Sequence, residues 1–137
     1  MKTQGFTLIE VIVTVVIVGI LAAMALPMFS RAMETTKARE AKAALQQIRT
    51  GERIYRVELN TYFYSTLALG DKEKIEELND KLRLYLDVRD NRNWDYRAEV
   101  GETPESTFTA TATRIGKTAD NTITIAQDGT FVGDWSP

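Results

Sequence analysis

The sequence predicts an α+β fold in which a long N-terminal helix packs on a small antiparallel sheet of three to four strands. Residues 6–58 have helical patterning, apolar all round in the first half and amphipathic in the second. Residues 94–133 alternate apolar and polar side chains with the period of two that is typical of half-buried strands. Because the helical and strand patterns occupy separate parts of the chain, the fold is α+β rather than alternating α/β.

The first element is a helix whose early part contains no charge. Residues 11–30 lack charged side chains, and about 20 apolar residues at ~1.5 Å each span a hydrocarbon layer of about 30 Å. This predicts a membrane-spanning segment. Glu10 stands directly before it, and an acid in lipid normally has a partner. Gly19 and Pro27 are weak points in the helix, and a kink is expected at Pro27.

The second half of the helix is amphipathic. Its apolar positions recur at spacings of three and four, which predicts a stripe that packs on the domain. These positions are Ala38, Ala41, Leu45, Ile48, Tyr55 and Leu59. The other side is polar and includes Arg49, and Glu52 and Arg56 are neighbours one turn apart. Gly51 weakens the helix locally.

A short second helix and then strands follow. Ile75, Leu78 and Leu82 predict the helix, with Asp71 as its N-cap, after an aromatic connection over residues 60–66. The predicted strands are residues 94–100, 107–115, 122–126 and 130–133, with residues 127–129 as a hairpin turn. Ala110 and Ala112 are small residues on the predicted inner face, which lets a helix approach closely.

The composition excludes several kinds of chemistry. The chain has 137 residues, a formal net charge of −2, and neither cysteine nor histidine. Cys–His and Ser–His pairs and histidine metal sites are therefore impossible. No catalytic residues, metal ligands or cofactor motif stand out, and the acidic balance does not favour nucleic acid as a partner. We expect a protein that is not an enzyme.

The charge is uneven along the chain. Residues 31–58 carry seven Lys or Arg against four Asp or Glu, whereas residues 59–137 carry nine against fourteen. Ordinary solvated faces are one explanation. The other is attraction between the basic part of one copy and the acidic part of its neighbour.

Two further groups of residues have a plain structural interpretation. Acidic and amide side chains lie in the C-terminal loops, without the spacing of a calcium-binding loop, and turn chemistry explains them. They are Asp120, Asn121, Asp128 and Asp134. The aromatic residues of the helix and the following loop favour core and interface packing.

The N-terminal residues resemble a known motif. Gly5-Phe6, with Glu10 at the fifth position counted from Phe6 and an uncharged run containing Gly19 and Pro27, is similar to the N-terminus of the type IV pilin and pseudopilin family. The resemblance implies the pilin fold, with residues 1–5 as a leader peptide, 6–30 as a transmembrane and filament-core helix, and 31–137 as a globular head.

The resemblance also implies a sequence of processing and assembly steps. A prepilin peptidase cuts between Gly5 and Phe6 and N-methylates Phe6, and the subunit then waits in the bacterial inner membrane as a single-pass protein. An inner-membrane platform protein and a cytoplasmic ATPase next drive its polymerisation into a cell-surface pilus. Glu10 would pair with the Phe6 amine of a neighbouring copy, and Gly19 and Pro27 would let the helix melt locally.

Four alternatives stay open at this point. In the first, the chain is a pseudopilin of a type II secretion system, and some such pseudopilins bind calcium in their C-terminal loops. In the second, it is a membrane-anchored binding module. The apolar run is otherwise a secretory signal cut near Ala23-Met24-Ala25, or a plain anchor that is never cut.

Overall fold

The computed structural model describes residues 5–64, 72–101, 107–116, 121–133 and 135. Two helices precede four strands: α1 Leu8–Leu59, α2 Lys72–Leu82, β1 Trp94–Val100, β2 Phe108–Arg114, β3 Thr122–Ala126 and β4 Phe131–Val132. This confirms the α+β prediction, with four strands in the sheet. Asp71, the predicted cap of α2, lies outside the described residues.

The chain divides into two compact units, Met1–Thr36 and Lys37–Pro137. The described part of the first unit is the beginning of α1 with three residues before it. Its apolar side chains are exposed along the whole run. The second unit, called the head below, contains the rest of α1 and all other elements.

The sheet is an antiparallel meander in the order β1-β2-β3-β4. Ala110 of β2 pairs with Ala98 on one side and with Ile125 on the other. All three side chains are buried, so they share the inner face. The outer face carries threonines, and the hydroxyls of Thr111 and Thr124 lie 3.4 Å apart across β2 and β3.

The core joins this inner face to one stripe of α1. The buried α1 residues of the apolar cluster are Ala38, Ala41, Leu45 and Ile48, as the spacing predicts, and Tyr55 packs against it. Leu59 was wrongly included in the stripe, since it is 57% exposed. It is the last residue of α1, one turn beyond Tyr55, where the helix no longer faces the core.

Gly51 has a specific packing role. A Cβ built on it would lie 2.9 Å from Leu82 Cβ, so only glycine allows α1 to approach the end of α2 this closely. After Leu82 the chain turns through Arg83 with φ 54°. The Leu84 N–H then donates to the Asn79 carbonyl at 2.9 Å, which is the helix-ending hydrogen bond of a Schellman motif.

The β3–β4 hairpin is attached to α1 by polar contacts. Gly129 adopts φ 96°, and its N–H donates to the Ala126 carbonyl at 2.9 Å. The Arg49 Nε donates to the Gln127 carbonyl at 2.9 Å. The Tyr62 hydroxyl contacts Gln127 Oε1 at 3.4 Å. Arg49, predicted on the polar side of α1, is therefore partly buried under the hairpin.

Candidate functional site

The two residues of the predicted cleavage site precede the first helix. Gly5 and Phe6 are exposed and lie outside regular structure, and α1 begins two residues later at Leu8. Nothing lies within 4 Å of a Cβ built on Gly5. Phe6 is 81% exposed. A peptide bond in this setting is free to take the extended form that a protease binds.

Glu10 lies in the first turn of α1. Its backbone N–H donates to Thr7 Oγ1 at 3.3 Å, so Thr7 caps the helix. A carboxylate in the first turn is favoured by the partial positive charge of the helix N-terminus. The spacing of Thr7 and Glu10 is that of a capping box, a signal in the sequence that marks the helix start more sharply than hydropathy alone.

The surface that follows is apolar on every side. All large hydrophobic side chains between Val11 and Phe29 are about half exposed or more. Within the described chain, α1 is the one helix long and apolar enough to cross a membrane. Such a surface requires lipid or other apolar side chains around it.

The two predicted weak points lie inside this helix. α1 continues through both Gly19 and Pro27. Because proline has no N–H, the Ala23 carbonyl loses its usual partner at this turn. The Ser30 hydroxyl donates to the Leu26 carbonyl at 3.2 Å in the same turn. A Cβ at Gly19 would meet nothing within 4 Å, so close packing within this chain does not require a glycine there.

The C-terminal loops show turn chemistry at Asp128. Its carboxylate accepts from the Thr130 N–H and hydroxyl, each at 2.8 Å, which lowers its pKa. Asp120 and Asp134 lie outside the described residues. Over the described ranges there is no group of three or more acidic, histidine or cysteine side chains that could hold a metal ion.

Glu52 is a buried acid whose burial the sequence pattern does not indicate. Glu52 and Arg56, which are neighbours one turn apart, form no ion pair, because Glu52 points into the core and Arg56 donates to the Tyr62 hydroxyl at 2.8 Å. Glu52 Oε2 accepts from the Phe63 N–H at 2.9 Å, whereas its Oε1 is buried without a hydrogen-bond partner. Burial raises the pKa of Glu52 to about 7, against the lowering effect of the Phe63 hydrogen bond.

Comparison with known proteins identifies the class first. Residues 1–26 match the model of the prokaryotic N-terminal methylation motif. The exposed Gly5-Phe6 peptide, the capped helix start and the apolar run are thus parts of that motif.

The family follows from the rest of the chain. Residues 27–125 match the family model described as type IV minor pilin ComP, DNA uptake sequence receptor. This match covers most of the chain, which therefore belongs to that family of type IV pilins. Type IV pilins are structural proteins, and the chain is accordingly not an enzyme.

One curated relative supports the same family. The type IV major pilin protein PilA of Myxococcus xanthus (strain DK1622) is 39% identical over 61 residues. The match covers 44% of this chain and 28% of the relative, so it spans less than a third of that protein's length. No solved structure matches the chain.

Proposed function

We propose that this chain is a structural subunit of a type IV pilus, cut between Gly5 and Phe6, N-methylated on Phe6 and polymerised into a helical filament through α1. The observation that carries the proposal is the exposed apolar surface between Val11 and Phe29, most of which lies within the methylation motif. Lipid covers this surface before assembly, and the same surface of other copies covers it afterwards.

The proposal includes partners and two locations. A prepilin peptidase processes the chain at the cytoplasmic face of the inner membrane. A platform protein in the inner membrane and a cytoplasmic ATPase then move it into the filament. The subunit is a single-pass membrane protein before assembly and part of a cell-surface homopolymer afterwards.

Glu10 sets the register of neighbouring copies in this proposal. An acid in an apolar environment is costly, roughly 2.5–3.5 kcal/mol at the centre of a bilayer. Cleavage before Phe6 creates an amine four residues away, which is a cation of matching depth on a staggered neighbour. Their pairing removes the cost of both charges and makes cleavage a condition for assembly.

Mass spectrometry of the N-terminus tests the processing step. We expect a chain that starts with N-methylated Phe6. An intact Met1 or a start at Leu26 would exclude the proposal, since the first indicates a permanent anchor and the second a secretory signal.

Substitution at Glu10 tests the assembly step. The Glu10→Ala variant should still be cleaved and methylated but should yield few sheared filaments. Glu58→Ala, which removes an exposed acid of the head, is the matched control and should assemble normally. Normal filaments from Glu10→Ala would show that this acid does not set the register.

Electron microscopy of sheared surface fractions separates the remaining alternatives. Long filaments support a pilus, and short envelope-confined ones indicate the pseudopilus of a type II secretion system. Processed chains without any filament indicate a membrane-anchored binding module.

A further inference from the structure

One face of α1 in the head carries a line of cations. The basic stripe consists of Arg39, Lys42, Arg49, Arg53 and Arg56. With 3.6 residues per turn, these spacings of three, seven, four and three place all five on the same side of the helix. All are exposed except Arg49, which is partly buried.

Among the described residues the basic stripe forms no salt bridge, and the Asp128 carboxylate interacts with Arg49 only at longer range. Salt bridges between described residues involve other cations: Lys72, Lys81, Arg89, Arg92 and Arg97. No described carboxylate lies within 4.0 Å of a cation of the stripe. Five positive charges on one helix face repel each other, so a negatively charged partner would stabilise them.

The stripe ends in a shallow depression of about 370 Å³, lined by Arg53, Arg56, Val57, Asn60 and Tyr62. The Arg56 guanidinium lies over the Tyr62 ring at 4.9 Å and donates to its hydroxyl, which fixes its position. Arg53 is exposed and has no hydrogen bond or ion pair in the described chain. The depression thus offers one fixed and one free guanidinium to a carboxylate.

The complementary surface lies on α2. Ile75, Leu78 and Leu82 are its buried apolar side. The opposite side carries the acidic stripe, which consists of Glu73, Glu76 and Asp80, all exposed. Asp80 lies 3.8 Å from Lys81, whereas Glu73 and Glu76 form no salt bridge with a described residue.

The two stripes lie at opposite edges of the sheet. α2 packs against β1, which is one edge strand. The basic stripe borders β4, the other edge strand, since Lys42 lies 5.7 Å from the Phe131 ring centroid and Arg49 is bonded to the hairpin. Gly51, which faces the end of α2, is two residues from Arg49 and from Arg53, about 200° around the helix, so the basic stripe points away from α2 of the same head.

The cations of the basic stripe and the carboxylates of the acidic stripe have the same spacing when the two helices are read in opposite directions. Reading down α1, Arg56, Arg53 and Arg49 are separated by three and four residues. Reading up α2, the acidic stripe has the same separations, so each set spans about 10.5 Å. Two antiparallel helices in contact would bring all three pairs together in one register.

We propose that the basic stripe of one head binds the acidic stripe of a second copy, with Arg53 paired to Glu76 at the centre. The contact joins different surfaces of the two copies, so it is heterologous and generates an open helical array rather than a closed dimer. The inference rests on the proposed polymerisation and names the head surfaces that take part in it.

A nucleic acid phosphate backbone is the competing occupant of the basic stripe. The second copy is favoured by two observations. The acidic stripe supplies carboxylates at matching intervals, and residues 59–137 carry five more acidic than basic side chains, which would repel a polyanion passing over the head.

The test uses the full chain in cells and reverses one charge at a time. Arg53→Glu and Glu76→Arg should each lower the yield of sheared filaments at least fivefold. The doubly substituted chain, with both charges exchanged, should recover to within twofold of wild type. Both side chains are exposed and neither forms a hydrogen bond or salt bridge with a described residue, so folding should be unaffected. Arg83→Glu reverses another exposed arginine and is the matched control.

The outcomes are distinguishable. Absence of filaments from the wild-type chain would overturn the proposed function and this inference with it. Wild-type filaments combined with unaffected single variants, or with a double variant that fails to recover, would overturn the inference alone. Loss of duplex DNA binding by Arg53→Glu filaments whose yield is normal would overturn it also, and would assign the stripe to nucleic acid.

Discussion

The first and second parts of α1 belong to one helix but differ in what covers their apolar surface. Residues 11–29 are apolar on every side, and none of the large hydrophobic side chains described in the first unit is buried. Residues 37–59 have one buried stripe and are mostly polar elsewhere, with Ile54, Val57 and Leu59 exposed near the end of the helix. The head supplies its own apolar partner for α1, whereas the first unit must obtain one from lipid or from other copies. Substitutions of the same type in the two parts should therefore have different effects.

The largest expected contrast is between two leucines. Leu45→Ala removes a fully buried side chain and should lower the free energy of unfolding of the head by about 3 kcal/mol. Leu21→Ala, at a position 62% exposed, should leave the unfolding transition unchanged. Near-ultraviolet circular dichroism of the full chain in detergent, which reports the buried Trp94, measures both. Equal effects would show that the first unit also has an internal core.

The second contrast concerns pH. The pKa of Glu52 is about 7 in the folded chain against 4.5 for an ordinary glutamate, so the folded state holds this proton more tightly. Stability from this group is fully present below pH 4.5 and is lost as pH rises through 7, a change of about 2 kcal/mol. Melting temperatures should fall from pH 5 to pH 8.

The variant Glu52→Gln isolates that effect. Its amide still accepts from the Phe63 N–H but does not ionise, so the fall between pH 5 and pH 8 should be smaller. Asp87→Asn is the control, because the hydrogen bonds from Arg89 outweigh the effect of burial and lower the pKa of Asp87 to about 2. An undiminished fall in Glu52→Gln would assign the pH dependence to another group.

The third contrast is between two helical glycines. Gly51→Ala places a methyl group 2.9 Å from Leu82 Cβ and should destabilise the head by about 1–2 kcal/mol. Gly19→Ala meets open space and removes a poor helix former, so head stability should not decrease. Denaturant titrations of both variants compare them. A stabilised Gly51→Ala would mean that α2 moves aside without cost.

The smallest effect is expected at the margin of the head. Trp135 is partly buried against the core. Trp135→Ala should lower the melting temperature by a few degrees, equivalent to about 1 kcal/mol. Tyr85→Ala, which removes a side chain 97% exposed, is the control. Identical melting curves would show that residue 135 does not contribute to the core.

Much of this fold was predictable because its signals are local. Helical spacing located α1 and α2, and alternation located the four strands within one or two residues of their ends. The burial of Glu52 was not predicted, because an acid one turn before an arginine has the pattern of a surface pair. Its partner is the Phe63 N–H, eleven residues away, which no periodicity reveals. Gly51 was likewise interpreted as a weak point, because its contact with Leu82 depends on how two helices pack.

The predicted site depends on more than local signals within the chain. The sequence predicts Gly5, Phe6 and Glu10 from a motif, and their roles stay predictions because they depend on a peptidase and on neighbouring copies. The charge stripes were visible only as an imbalance between residues 31–58 and 59–137. Their location at opposite sheet edges required the order of the strands.

The meander order has a consequence for how the head folds. Each strand pairs with its neighbour in sequence, so the sheet closes only short loops, whereas the Arg49–Gln127 hydrogen bond joins residues 78 apart. Local closures are fast and distant ones are slow. We expect the sheet to form first and α1 to dock last. In stopped-flow experiments Arg49→Ala should then accelerate unfolding while the refolding rate stays unchanged. The lifetime of the folded head would therefore depend on the Arg49–Gln127 hydrogen bond.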